Sequence, residues 1–127
     1  MAIFTHVTVG TNDLAKSRQF YDAVLAPLGI KRLKDFGDRG SCWGATTEEF
    51  MVLTPADGKP ATTANGGTIS FEAPSRAAVA AFHKAALDLG GTDEGAVGPR
   101  SFWPHAYAGY CRDLDGNKLA CYCRKPE

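Results

Sequence analysis

Residues Tyr107 to Cys123, YAGYCRDLDGNKLACYC, read as strand, turn, strand. Asp113-Leu114-Asp115-Gly116-Asn117 forms the turn, because Asp-Gly between two runs rich in aromatic and sulfur side chains supplies the positive φ that a tight reversal needs. Beyond the turn, strand alternation puts Lys118, Ala120 and Tyr122 on one face and Leu119, Cys121 and Cys123 on the other. One of these faces packs and the other is open to a ligand. The residue at position 120 therefore bears directly on the chemistry the open face can carry.

Working outward, 127 residues is enough for one domain with a genuine core and too few for two independent ones. Fourteen basic and fourteen acidic residues cancel to a formal charge of zero, so neither nucleic acid nor an anionic membrane surface is an expected partner. There is no signal-peptide pattern and no apolar run near the roughly 20 residues of a membrane span. The expectation is a soluble, cytoplasmic protein. Cys42, Cys111, Cys121 and Cys123 contain no C-x-x-C pair. Cys121 and Cys123 stand about 7 Å apart along one strand, too far to bridge without deforming it. Free, buried thiols are expected, with neither zinc spacing nor an activating partner for a nucleophile at Cys42.

The chain opens with an alternating run from Ile3 to Val9 in which Val7 and Val9 face one side and His6 and Thr8 the other. Asn12-Asp13 starts a helix whose apolar stripe is Leu14, Phe20, Tyr21, Val24, Leu25 and Leu28, closed by Pro27 and Gly29. Strand-like runs follow at 30–36, 41–45 and 50–54, and a polar linker rich in Gly, Pro and Asn covers about 55–66. The same order then returns. Thr68 to Phe71 is a strand, Pro74-Ser75 a helix start, Val79, Phe82, Ala86, Leu87 and Leu89 a helical stripe, and Gly90-Gly91 its stop. Further strands are expected near Thr92, over 107–112 and over 118–123. A shift of 62 positions lays Val7 on Ile69, Val9 on Phe71, Asp13 on Ser75, Phe20 on Phe82 and Leu25 on Leu87. His6 falls on Thr68. One domain over 1–127 is read as two modules, about 1–54 and 67–124, each strand-helix-strand-strand-strand with its helix on one face.

Several segments carry a family resemblance: Thr5-His6-Val7-Thr8-Val9 with Arg18-Gln19-Phe20-Tyr21-Asp22-Ala23-Val24-Leu25, then Glu72-Ala73-Pro74-Ser75 to Val79 with Phe82-His83, and Arg112-Asp113-Leu114-Asp115-Gly116-Asn117. Together they resemble the vicinal oxygen chelate superfamily, which includes glyoxalase I, extradiol dioxygenases and the bleomycin and fosfomycin resistance proteins. The resemblance implies an α+β fold of two βαβββ modules whose mixed sheet curves around a concave cavity. It also implies a homodimer, and it leaves the reaction open, since one scaffold hosts many chemistries.

In that family a divalent metal is held from the first and fourth strands of each module, usually by His or Gln and by Glu or His. Here His6 matches the first position, Thr68 its counterpart, Met51 the fourth strand of the first module and Ala120 the usual acid. One imidazole with no carboxylate does not make the site that binds two oxygens of a substrate or activates dioxygen. No cofactor is therefore expected, His6 is a remnant ligand at most, and the extradiol dioxygenase reading is excluded. Two readings stay open. One is a glyoxalase-like lyase or isomerase with His6 as ligand or base and Tyr107 or Tyr110 as hydrogen-bond partner. The other is a metal-free protein that sequesters a small oxygenated or aromatic molecule. Trp43, Met51, Thr68, Phe102, Trp103, His105 and Ala120 are the expected ligand-lining residues, since aromatic walls with a few polar groups make small-molecule pockets. His83 is expected on its helix surface. Arg39, Arg100 and Arg112 are candidates to neutralise an anion.

Overall fold

The second half of the chain repeats the first at the level of single caps and registers. The computed structural model describes residues 2–127. Strand β1 (Val7–Gly10) leads to α1 (Leu14–Leu25) and then to β2 (Lys31–Asp35), β3 (Gly40–Gly44) and β4 (Phe50–Leu53). After a coil over 54–68 come β5 (Ile69–Glu72), α2 (Arg76–Asp88), β6 (Thr92–Pro99), β7 (Tyr107–Arg112) and β8 (Lys118–Cys123). Asp13 caps α1 by accepting from the Lys16 N–H, and Ser75, 62 residues later, caps α2 by accepting from the Ala78 N–H. The α+β fold expected from the repeat is thus present as two four-stranded mixed sheets, in the orders β1-β4-β3-β2 and β5-β8-β7-β6.

Register fixes which side chains share a face. In the first sheet β1 runs parallel to β4, with Thr8 beside Met51 and Val9 beside Val52. In the second β5 runs parallel to β8, with Ser70 beside Ala120 and Phe71 beside Cys121. Met51 and Ala120 are therefore equivalent positions on the open faces. The opposite faces are covered by the helices. A line of rings runs through this core, Tyr21 to Phe50 at 4.9 Å, Phe50 to Phe71 at 5.2 Å and Phe71 to Phe82 at 5.9 Å between centroids. It crosses from one module to the other, each contact adding about 0.5–1.5 kcal/mol beyond the apolar area it buries.

The turn Asp113 to Asn117 fastens the modules together. Gly116 takes φ 89°, and the Asp113 carboxylate accepts from the backbone N–H groups of Asp115 and Asn117, from Asn117 Nδ2, and from the Tyr21 hydroxyl of α1 at 2.5 Å. Asp115 accepts from the Asn12 N–H and the Ser17 hydroxyl, and Asn117 Nδ2 also donates to the Gly10 carbonyl. Burial pushes the Asp113 carboxyl upward and the four donors push it back. The hydroxyl of Tyr21, buried against that carboxylate, is held well above its ordinary value.

Three expectations need correction. The first strand begins at Val7, not Ile3: Val7 N–H bonds the Glu49 carbonyl, and upstream of Glu49 its partner strand has turned away, so Ile3 and Phe4 stay outside the sheet and are 89% and 66% exposed. His83 is buried rather than on the helix surface, because it packs over the bare Cα of Gly109 and its Nε2 meets Asp93 Oδ1 at 3.0 Å. Asp93 reaches it from β6, where the ladder is irregular between Asp93 and Gly95. Leu87, matched to the fully buried Leu25, is 37% exposed.

Tyr21→Phe removes one of four donors from a buried carboxylate while keeping the ring's packing. It is expected to destabilise the protein by about 1–3 kcal/mol. Urea unfolding would show this as a lower midpoint at unchanged slope; an unchanged midpoint would mean the Tyr21–Asp113 bond contributes nothing to holding the modules.

Candidate functional site: the open face of the second sheet and the cleft beside it

A cleft of 760 Å³ lies where the start of β1, the end of β5 and the segment before Phe50 meet. His6, Glu49, Thr68, Ser70 and Glu72 give it polar groups, and Phe50, Ile69 and Phe71 give it an apolar floor. His6 stands one residue before β1, exposed, with its Nδ1 3.0 Å from the Thr5 hydroxyl. Thr68 stands one residue before β5, also exposed. The cleft thus brings together His6 and Thr68, the pair matched by the internal repeat. Trp43 touches its floor but has no exposed surface. Its ring lies 5.8 Å from Tyr21, and its Nε1 donates to Asp22 at 3.0 Å, so it is a core residue rather than a contact.

Ser70 and Glu72 carry the site onto the open face of the second sheet. There Ala120 is flanked by Ser70 on β5 and Tyr110 on β7. Tyr110 and Tyr122 stand on this face with their rings perpendicular and their hydroxyls in a short hydrogen bond. Ala120 is fully buried. Lys118 and Arg100 lie over the Tyr110 ring at 5.5 and 5.6 Å, Trp103 meets Tyr122 edge-on at 5.7 Å, and Arg124 stacks over Trp103 at 5.2 Å. Burial, then the hydrogen bond Tyr122 shares with Tyr110, pushes the Tyr122 phenol from 10.0 up to about 12. Tyr122 thus joins the site although only its place on the Ala120 face hinted at it.

Other candidates fall elsewhere. Tyr107 is three residues from Tyr110, so alternation sends it to the helix side, where the Arg76 guanidinium covers its ring at 5.0 Å. It is not part of the cleft. Met51 is half-buried on the open face of the first sheet, next to Thr8 and Cys42. Phe102 and His105 are exposed in the loop before β7, and His105 is the one non-glycine residue among those described with positive φ, 64°. Neither lines the cleft. Arg39 donates to the Thr54 carbonyl, Arg112 is paired with Glu94 and the Gly116 carbonyl, and Arg100 is spent on the carbonyls of Ala96, Gly98 and Pro99. All four cysteines are free and buried, and burial raises Cys111 and Cys121 to about 12, which makes them inert thiols.

The chain from residue 3 to 121 matches the family model described as the Glyoxalase/Bleomycin resistance protein/Dioxygenase superfamily. The chain belongs to this superfamily. A glyoxalase/bleomycin resistance protein from Albidiferax ferrireducens is 39% identical, with 98% of this chain and 100% of that chain covered and a TM-score of 0.88. The fosfomycin resistance protein FosX of Mesorhizobium loti (14% identity, TM-score 0.69, 98% and 94% covered) shares the fold. So does a lactoylglutathione lyase of Agrobacterium tumefaciens (20%, 0.64, 97% and 94%). Comparison with curated proteins gave no match.

The superfamily's divalent metal can be tested against these residues. Ala120 offers no donor and is fully buried, Thr68 offers a hydroxyl, and Met51 a thioether that suits a hard ion poorly. Among the described residues no group of three His, Cys, Asp or Glu side chains is placed to hold an ion. The superfamily's ligand set does not fit these residues.

The phenol pair makes a prediction. A tyrosine whose proton is held more tightly in the folded state loses that stabilising difference as pH rises from about 10 toward 12. Ultraviolet titration, with Tyr122→Phe as the difference reference, is expected to show Tyr122 ionising near pH 12, and Tyr110→Phe should bring it part of the way back. A titration unaffected by Tyr110→Phe would mean the two hydroxyls do not share a proton.

Proposed function

We propose that this protein binds a small oxygenated or aromatic molecule on the open face of its second sheet and in the adjoining cleft, without a resident metal. One observation carries the reading. The strand position at which the resemblance implies an acid is a fully buried alanine opposite Tyr110, whose hydroxyl is hydrogen-bonded to that of Tyr122. Phenols, an indole and a serine hydroxyl recognise a planar organic molecule by stacking and hydrogen bonding, which needs no ion. The name of the Albidiferax ferrireducens relative points toward bleomycin resistance as much as toward a glyoxalase, and sequestration of a ligand is the function this surface supports best. Homodimer formation belongs to the same proposal, supported by exposed Ile3 and Phe4 beside the cleft and exposed Phe102 near the open face.

A second reading, a glyoxalase-like lyase or isomerase, is favoured by one feature: His6, Glu49 and Glu72 line the same cleft. In it His6 is the base or remnant ligand, and Tyr110 orients the substrate oxygen.

The two part on metal titration of untagged protein. Zinc, nickel, manganese and ferrous iron are expected to show no tight one-to-one binding, while small aromatic ligands perturb the emission of Trp103, which is 49% exposed. Tight binding abolished by His6→Ala would overturn the metal-free reading. Ala120→Glu is expected to lose about 1–3 kcal/mol through overpacking beneath the tyrosines and to gain no metal affinity. A stable, metal-binding Ala120→Glu variant would show that the tyrosines leave room for the family's acid.

A further inference from the structure

The end of the open face holds two opposite charges that do not meet. Glu72 closes β5 beside Tyr122, and Arg124 follows two residues after Tyr122, just past the end of β8. Both line a cavity of 180 Å³ with Ser70, Phe71, Trp103 and Tyr122. They also border a second hollow of 430 Å³ on the side of Pro104 and Lys125. Yet the ion pairs among the described residues include neither of them. The other arginines near this face differ, since Arg100 is spent on three carbonyls and Arg112 on Glu94, and Lys118 lies over the Tyr110 ring. Arg124 is instead pre-set by its stacking on Trp103, with its hydrogen-bonding edge uncommitted.

We propose that this cavity recognises a small zwitterion, an α-amino acid with an apolar or aromatic side chain. Its carboxylate pairs with Arg124, its ammonium with Glu72, and its side chain lies against Trp103 and Tyr122. A cavity of 180 Å³ is about six water volumes at ~30 Å³ each, suited to a compact ligand. A plain anion would meet Glu72 unfavourably, and a plain cation would meet Arg124 and Lys125. A molecule bearing both charges about as far apart as a carboxylate and its α-ammonium satisfies each partner with a charge-assisted hydrogen bond. The ammonium is further favoured by neighbouring aromatic faces. The inference rests on the reading of this face as the ligand site and narrows its ligand class.

L-phenylalanine, L-phenylalaninamide, which lacks the carboxylate, and N-acetyl-L-phenylalanine, which lacks the ammonium, separate the possibilities. Trp103 emission is the readout, because the only other tryptophan, Trp43, has no exposed surface. L-phenylalanine is expected to bind at least about tenfold more tightly than either derivative, each of which forfeits one charged hydrogen bond. Arg124→Gln should erase the preference over the amide, and Glu72→Gln the preference over the N-acetyl compound. Both positions are exposed, so these variants should fold. Equal binding of all three, or preference for the N-acetyl compound, would overturn the zwitterion while leaving the face a ligand site. Silence of Trp103 toward all three and toward benzoate would overturn both.

Discussion

The buried carboxylate of Asp113 is the point on which the two modules depend. It belongs to the last hairpin turn of the chain, yet one of its four donors comes from a helix 92 positions earlier. A half-satisfied carboxylate in that position would be costly, because a buried acceptor left without a partner forfeits its hydration for nothing. The full set of donors is therefore complete only when the turn and α1 are together. The ring line from Tyr21 through Phe50 and Phe71 to Phe82 then finds its spacing. Orientation comes from the polar contact and most of the free energy from the apolar one.

Much of this architecture was legible from the residues. The 62-position repeat located both N-caps, since a cap is a local event that needs only one hydroxyl or carboxylate and a free N–H. The Asp-Gly turn was equally local. Side-chain direction at longer range was less accessible. Alternation forbids Tyr107 and Tyr110 from sharing a face, so only one of them could join the site. The choice followed from pairing β7 with β8 across the turn, which sets Tyr110 opposite Ala120. His83 escaped because its partner Asp93 is presented by an irregular stretch of β6 that no periodicity announces. Trp43 escaped because aromatic residues on a strand serve a core and a pocket equally well until the helix above is placed. No sequence rule separates the committed arginines from Arg124, since each commitment is to a backbone carbonyl or a distant acid.

The open face keeps the superfamily's strands while its side chains depart from the ligand set that the family resemblance implies. At the position where the family resemblance implies an acid, this chain carries a methyl group, with Tyr110 opposite it on β7 and hydrogen-bonded to Tyr122. A carboxylate is an acceptor only, whereas a pair of phenols donates, accepts and offers ring surface. On the proposed reading this sheet position serves an organic ligand rather than a hard cation; the cations around it sit on aromatic rings.

The parallel pairing of each first strand with its module's last strand has a consequence for the order of synthesis. As the chain emerges, β1 must wait for β4, and the first module can close by about Leu53. Its helix still lacks the partner of Tyr21, which arrives 92 residues after it. A nascent first module thus leaves the Phe50 ring without Phe71 until β5 emerges, and the Tyr21 hydroxyl without its acceptor until the last hairpin does. Contacts of such long sequence separation form slowly. The interval between residues 53 and 113 is when this chain is most open to a chaperone or to premature association with another copy of itself.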